Sequence, residues 1–335
     1  MKETVFCRKL KEDIVQCTAC NRYCVINENK SGYCRARKNL KGKLFLLTYA
    51  KPTGLQIDLI EKKPLFHFLP GTETMSFGCF GCNFSCRHCQ NYYISKEFSE
   101  KEIESLPEVS PKQIIEKAIE FNCKSISYTY TEPTVFAEFC LDAMKLAHEK
   151  NLKNIWVSNG YLSKELREII LPFLDAINID LKGDKKFYES VCDKVKIEKL
   201  KENIEFFYSK GVHVEVTNLI IPKYNDSEKQ LNELIEFIAG VSKEIPLHFS
   251  AFFPTYKLTD SERTSPQTLL KAKKIAEKKG MKFVYTGNVP LENDSNCMEC
   301  GNLLVERAGY TTNIIGLDEK GKCIKCRKEN NFVVQ

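Results

Sequence analysis

Three cysteines set the chemistry open to this chain: Cys82, Cys86 and Cys89 in the run Gly81-Cys82-Asn83-Phe84-Ser85-Cys86-Arg87-His88-Cys89-Gln90-Asn91. Thiolates bind soft metals, and iron–sulfur clusters are held chiefly by cysteine. Three close thiolates can hold three irons of a 4Fe–4S cube and leave the fourth iron free for a ligand. A cluster that only carries electrons needs a fourth thiolate; one that does chemistry on a ligand needs it absent. A zinc ion would also take a fourth ligand, from His88 or Cys79. C-x3-C-x2-C is not a usual zinc spacing, and the aromatic-type residue His88 directly precedes the last cysteine, so the cluster is favoured. Cys79 is read as a non-ligand, because a fourth thiolate would close the open iron.

Two further sets flank this loop. Cys17, Cys20, Cys24 and Cys34 follow C-x2-C-x3-C-x9-C in a short polar segment with little apolar content, so metal should organise the fold there. Zinc and iron–sulfur both remain open at this set; zinc or a structural cluster is expected over an electron-transfer one. In the tail, Cys297-x2-Cys300 and Cys323-x2-Cys326 form two knuckles separated by a strand-rich insert around Asn302–Arg307, a zinc-ribbon or rubredoxin-like pattern. The segment between them has only a few apolar residues, including Leu303, Leu304, Val305, Ile314 and Ile315. Metal binding should therefore carry much of its folding free energy. Cys7, Cys123, Cys140 and Cys192 are scattered and suit buried small hydrophobes.

The rest of the chain must position these groups. Its 335 residues suit one large domain with small appendages. The net charge of +6 is too modest to demand nucleic-acid binding, which is not expected but not excluded by composition. There is no run of eighteen apolar residues, and Met1-Lys2-Glu3-Thr4 has no signal-peptide core. The expectation is a soluble, cytoplasmic protein without a membrane partner. Sixteen cysteines in such a compartment read as metal ligands rather than disulfides.

Between Thr74 and Tyr285 the patterning alternates strand and helix. Strands are expected at 74–78, 125–130, 154–158, 176–181, 213–221, 246–252 and 283–285. Helices are expected at 111–121, 134–150, 163–171, 198–210, 227–238 and 266–279. Ser110-Pro111 supplies the N-cap and first-turn proline of the first helix. Repeated strand–helix units imply a parallel sheet with right-handed crossovers. Short apolar runs at 44–49 and 54–60 should pack against this α/β body, and Asp58 and His67 are polar residues of that cover which could line the site. In parallel folds functional residues gather at the carboxyl ends of strands. Those ends carry Tyr130-Thr131-Glu132-Pro133, Ser158-Asn159-Gly160 and Asp180-Leu181-Lys182, with Asn218 and His248 as weaker candidates. A carboxylate such as Glu132 can accept from an ammonium, although an acidic residue at a helix N-terminus is also favoured by the helix dipole. Asn159-Gly160 also reads as a simple turn.

The cysteine loop resembles the CX3CXφC signature of radical S-adenosylmethionine (radical SAM) enzymes, with His88 at φ. Lys63-Pro64-Leu65-Phe66-His67-Phe68-Leu69-Pro70-Gly71, followed by a cluster loop ending Cys89-Gln90-Asn91, resembles the radical SAM member of the AmmeMemoRadiSam system. That group is similar to pyruvate formate-lyase activating enzymes. The resemblance runs from about Cys17 to Cys326. It implies a partial (β/α)6 radical SAM barrel at 71–290, a Cys-rich segment and strand cover at 1–70, and a four-cysteine, zinc-ribbon-like tail at 291–335. It also implies a 4Fe–4S cluster on Cys82, Cys86 and Cys89, with S-adenosylmethionine contacts from His88, Glu132, Ser158, Asn159, Asp180 and Lys182. Of the family's usual Gly-Gly-Glu only Glu132 is matched, for the methionyl amine. Ser158 and Asn159 suit the carboxylate or ribose, Asp180 a ribose hydroxyl or the sulfonium surroundings, and Lys182 the carboxylate. The implied reaction is reductive cleavage to methionine and a 5′-deoxyadenosyl radical that abstracts hydrogen from a small molecule or cofactor precursor. The implied partners are a flavodoxin or ferredoxin donor and Memo-like and AMMECR-like proteins.

Two other readings predict different behaviour. A glycyl-radical activase would act on a partner protein, with the knuckles as a docking surface. A non-catalytic iron–sulfur or zinc carrier, or an RNA-binding module, would not cleave S-adenosylmethionine.

Overall fold

The computed structural model describes residues 1–309 and 311–335. Six short strands open the chain. β1 (Lys2–Glu3), β5 (Arg37–Leu40) and β6 (Lys43–Leu46) form one sheet, and β2 (Cys7–Lys9), β3 (Val15–Cys17) and β4 (Val25–Ile26) a second. β7 (Thr53–Leu59) pairs antiparallel with β8 (Glu73–Gly78). From there strand and helix alternate: α1 (Tyr92–Ser95), α2 (Glu100–Ser105), α3 (Pro111–Glu120), β9 (Ser125–Tyr128), α4 (Ala137–Glu149) and β10 (Lys153–Ser158). The pattern continues through α5 (Lys164–Ile170), β11 (Ala176–Asp180), α6 (Lys185–Val191), α7 (Ile197–Ser209), β12 (His213–Ile220), α8 (Glu228–Val241), β13 (Leu247–Ala251), α9 (Pro266–Lys278) and β14 (Val284–Gly287).

Strands β8 to β14 are parallel, and each neighbours the next in sequence, in one eight-stranded sheet with β7 at its edge. Because the order never reverses, the sheet winds one way, as a barrel does, rather than both ways from a switch point. Among the described residues β14 and β7 do not pair with each other, so the barrel is open. This is the expected α/β architecture, an open parallel barrel of six strand–helix units and one further strand. The strands are buried along most of their length, as parallel strands between helices and a filled interior must be. Local sequence starts the helices: Ser99 and Ser110 form reciprocal capping boxes with Glu102 and Gln113, and Ser163, Ser227 and Ser265 cap α5, α8 and α9.

The segment after β7 fills the lower barrel interior. Glu215, fully buried on β12, accepts from the backbone N–H of Phe66 (3.0 Å) and His67 (2.8 Å). It also contacts His213 Nε2 (3.1 Å) and His248 Nε2 (2.6 Å). Asn178 on β11 donates to the Pro64 carbonyl (2.7 Å). Leu65, Phe68 and Leu69 pack with Ile60, Ile155 and Ala176. The stretch Lys63–Gly71 is thus a plug that floors whatever lies above it.

The tail forms a small antiparallel sheet from β15 (Ser295–Asn296), β16 (Leu303–Ala308) and β17 (Thr311–Ile314). It docks on the plug through Val333 N–H to the His67 carbonyl (2.8 Å), Leu69 N–H to the Val333 carbonyl (2.7 Å) and Arg307 to the Phe66 carbonyl (2.6 Å). No helix among the described residues is long and apolar enough to cross a membrane.

Candidate active site

The carboxyl ends of the barrel strands enclose a cavity of about 330 Å³. The cluster loop brings Cys82, Cys86, His88 and Cys89 to its wall, and strand ends bring Glu132, Ser158, Asn159, Asp180 and Lys182. All nine residues singled out for a cluster and S-adenosylmethionine therefore share one enclosure. The loop can turn here because Gly81 adopts φ +104°, and a side chain there would meet the Cys34 carbonyl at 2.7 Å.

Glu132 organises one wall. Its Oε1 accepts from Thr134 N–H (3.1 Å), Thr134 Oγ1 (2.6 Å) and Ser158 Oγ (2.8 Å), whereas Oε2 has a single donor, Asn159 N–H (2.8 Å). Oε2 therefore keeps acceptor capacity. The same carboxylate caps the 3-10 turn Pro133–Phe136, so its helix-terminal and site-lining roles coexist. Burial raises the Glu132 pKa, opposed by those donors. Ser158 also accepts from Gly160 N–H (3.0 Å), so much of its capacity is spent on local structure. Asn159 donates from Nδ2 to Asn83 Oδ1 (2.7 Å), tying this wall to the cluster loop.

Across the cavity Asp180 and Lys182 form an ion pair at 2.7 Å. Burial pulls Lys182 down, but Asp180 and the nearby Cys86 outweigh it and leave its pKa raised. Burial, with Lys182 adding to it, brings His88 down to about 3, so its ring is neutral at neutral pH. His88 Nδ1 is buried and has no hydrogen-bond partner.

Other polar candidates turn to structural tasks. Asn218 donates to the carbonyls of Leu181 (2.8 Å) and Lys182 (3.0 Å), holding the loop after β11. His67 is buried against Tyr285 Oη (2.6 Å) and stacked on Phe332 at 3.8 Å, in the floor. Asp58 pairs with Lys63 (2.5 Å) and accepts from Tyr130 Oη (2.6 Å). Burial works against Asp58, but Lys63 and Tyr130 hold its carboxyl at about 2. Tyr130, at φ +66°, is a bulky residue in the left-handed region beside the cavity, a placement that costs energy and is met at functional sites.

Several lining residues carried no signal in their local text. Lys62 and Lys63 reach the cavity only because the plug threads the barrel. Leu219, Ser250 and Asn288 lie at or just past the ends of β12, β13 and β14, where the strand-end rule applied to every strand would find them, and Thr217 lies farther down β12. Cys79 is fully buried with its thiol toward the Thr48 carbonyl (3.8 Å), away from the lining. Cys123 and Cys140 are buried and Cys7 half-buried. Cys192 is different: it is buried directly against Cys86, yet it is not among the cavity-lining residues.

The donor set fits a three-cysteine cluster with a bound ligand. Three thiols line the cavity and the fourth nearby thiol does not. His88, with an unpartnered ring nitrogen, and Glu132, with a single donor on Oε2, both line the same space. An adenosyl group with a charged methionyl end needs such apolar-to-polar walls.

The tail cysteines form a separate centre. Cys297 Sγ lies 3.5 Å from Cys326 Sγ, and Cys300 Sγ lies 3.8 Å from Cys323 Sγ. All four sulfurs fall within 4.8 Å of one another. Burial pushes the Cys297 thiol up, but the N–H groups of Cys300 and Glu299 bring it down to about 6. Replacing Cys323 and Cys326 by serine is expected to release one metal ion per chain and loosen the tail, while the visible absorption of the barrel cluster stays. Loss of about four irons in that double variant would mean an iron–sulfur tail instead.

The Radical SAM superfamily model matches residues 78–238, which span the cluster loop and most of the barrel. An uncharacterized protein of Methanocaldococcus jannaschii is 45% identical over 338 residues, covering 100% of both chains. Among solved structures, a radical SAM methyltransferase from Sphaerobacter thermophilus superposes with a TM-score of 0.51 at 16% identity, over 70% of this chain and 71% of that one. A domain of a pyruvate-formate lyase-activating enzyme from Bacteroides vulgatus aligns with a TM-score of 0.43 at 19% identity, over 49% of this chain and 99% of that one. The segment 78–238, with the cluster loop inside it, is thus similar to the Radical SAM superfamily.

Proposed function

We propose that this chain is a radical SAM enzyme that abstracts hydrogen from a substrate held beside the cluster cavity, with Cys82, Cys86 and Cys89 as the thiolates that would hold three irons. The observation that carries this is the meeting of those three thiols, His88 and the Glu132 carboxylate, whose Oε2 has a single donor, in the lining of one cavity. When bound, the cluster and S-adenosylmethionine supply one-electron cleavage of the sulfonium carbon–sulfur bond and a carbon radical. The chain's own part is geometry and exclusion of water. Glu132 Oε2 suits the methionyl ammonium, and Asn159 and Ser158 fix that carboxylate. Asp180 suits a ribose hydroxyl, and Lys182 brings positive charge near a carboxylate. His88, neutral, can accept or donate one hydrogen bond without adding charge.

The substrate would lie in a second cavity of about 830 Å³ that shares Lys62, Ser250 and Asn288 with the first. Its walls come from the ends of β13 and β14 and from the tail at Glu306–Gly309, so barrel and tail together would shape it. The resemblance of Lys63–Gly71 and the cluster loop supports a place in the AmmeMemoRadiSam system, with Memo-like and AMMECR-like partners, a flavodoxin or ferredoxin donor and a cytoplasmic setting.

Reconstituted anaerobically and given dithionite, the protein is expected to convert S-adenosylmethionine to 5′-deoxyadenosine and methionine, and Cys86→Ala to form neither. Equal cleavage by that variant would defeat the assignment.

A further inference from the structure

The two flanking four-cysteine sets differ in a way their spacing does not reveal. In the tail the sulfurs pair at 3.5 and 3.8 Å. That matches the edge of a tetrahedron around one zinc ion, about 3.8 Å for a zinc–sulfur bond near 2.3 Å. Among the described residues the tail set is the one group of three or more ligating side chains with all donor atoms within 4.8 Å of one another. No three of Cys17, Cys20, Cys24 and Cys34 meet that limit, although all four line one cavity. In any three of them at least one pair of sulfurs stands farther apart than the tetrahedron edge of a single ion. The four suit a cube, where each thiolate sits outside its own iron and the sulfurs stand farther apart.

Arg22 and Lys96 bring positive charge near the set, whereas the charge of Arg37 is balanced by Glu138. Arg22 and Arg37 line the same cavity. Arg37 is 1% exposed and bidentate on Glu138, at 2.7 and 2.6 Å. Lys96 and Arg22 sit over the ring of Tyr33, at 4.0 and 3.7 Å, next to Cys34 in the chain.

Position gives this set a task. The Cys34 carbonyl is the atom that a side chain on Gly81 would strike, and Gly81 precedes Cys82. Asn83 lines the N-terminal cavity and accepts from Asn159, which lines the other. Lys96 donates to the carbonyls of Cys82 (2.8 Å) and Tyr33 (3.5 Å). The N-terminal loop is fixed on the barrel by Asn21 N–H to the Tyr161 carbonyl (3.1 Å) and Ser163 N–H to the Ala19 carbonyl (3.2 Å), just past Ser158 and Asn159. The hydrogen-bonded pair Asn83 and Asn159 therefore stands between the two cavities, one residue lining each.

We propose that Cys17, Cys20, Cys24 and Cys34 hold a second iron–sulfur cluster, which takes one electron from a low-potential protein donor and passes it to the cluster on Cys82, Cys86 and Cys89. This departs from the zinc or purely structural cluster that spacing alone favours. It rests on the reading of the barrel cluster as the acceptor. Each transfer moves a single electron, oxidising the donor and reducing the barrel cluster, with no bond made or broken at the N-terminal set.

Three full-length proteins test it after anaerobic reconstitution with iron and sulfide: wild type, C17A/C20A and C82A/C86A/C89A. Iron, sulfide and zinc are counted, and the dithionite-reduced proteins are examined by Mössbauer and electron paramagnetic resonance spectroscopy. The expected result is about eight irons and one zinc in wild type, with about four irons lost in each variant and the zinc unchanged. The triple variant keeps the N-terminal segment intact, so it answers even if C17A/C20A folds poorly. If the triple variant has no iron and the wild type holds two zincs, the N-terminal cluster is refuted and the barrel reading stands. If the triple variant keeps all the wild-type iron, the barrel reading fails and the relay with it.

Discussion

Glu215→Ala is expected to destabilise the fold by about 3–5 kcal/mol, the cost of removing one partner from a buried ionic network. The carboxylate is fully buried and faces four donors or potential donors: the N–H groups of Phe66 and His67 and the imidazoles of His213 and His248. Alanine would leave two plug N–H groups without acceptors in a space closed to water. The measurement is the urea unfolding midpoint, which should fall with little change in slope. Burial pushes the Glu215 carboxyl up, but His213 and His248 hold it well below the usual range. A depressed folded-state pKa means the stabilisation is present above the unfolded value of about 4.3 and fades as pH falls below it. The gap between wild type and variant should therefore narrow in acid. An unchanged midpoint at neutral pH would show that the plug is not held from β12.

Glu132→Gln should weaken S-adenosylmethionine binding roughly ten- to a hundredfold, the equivalent of a charged hydrogen bond worth about 1.5–3 kcal/mol. The substitution keeps shape and can keep an oxygen toward Thr134 and Ser158. It removes the negative charge and sets an amide against the Asn159 N–H. Iron content should stay at the wild-type level, because no cysteine is touched. Equilibrium dialysis with labelled S-adenosylmethionine reads the effect. Wild-type affinity in the variant would mean that the ammonium is held elsewhere.

Much of this architecture was legible because it is local. The three cysteines of the cluster loop declare themselves by spacing, and the barrel strands and their Ser- and Pro-capped helices by periodicity. The strand-end rule located Glu132, Ser158, Asn159, Asp180 and Lys182 beside one cavity. What stayed hidden depends on contacts far apart in sequence. The apolar run before the plug is an antiparallel edge strand, and nothing in Thr53–Leu59 distinguishes that from a cover strand. The stretch Lys63–Gly71 falls in or just past the segment expected to cover the α/β body, yet it threads the barrel because Glu215, more than a hundred residues later, accepts its N–H groups. Cys192 reads as a lone buried thiol, and only the fold sets it against Cys86. The difference between the two four-cysteine sets is equally invisible in their spacing, since it lies in how far apart the sulfurs are held.

The most direct test of the account is the electron paramagnetic resonance spectrum of the dithionite-reduced protein before and after S-adenosylmethionine is added. If the open iron faces the cavity lined by His88, Glu132 and Lys182, the cluster signal should change on addition, and C82A/C86A/C89A should show no such change. A wild-type signal that is identical with and without S-adenosylmethionine would contradict the account.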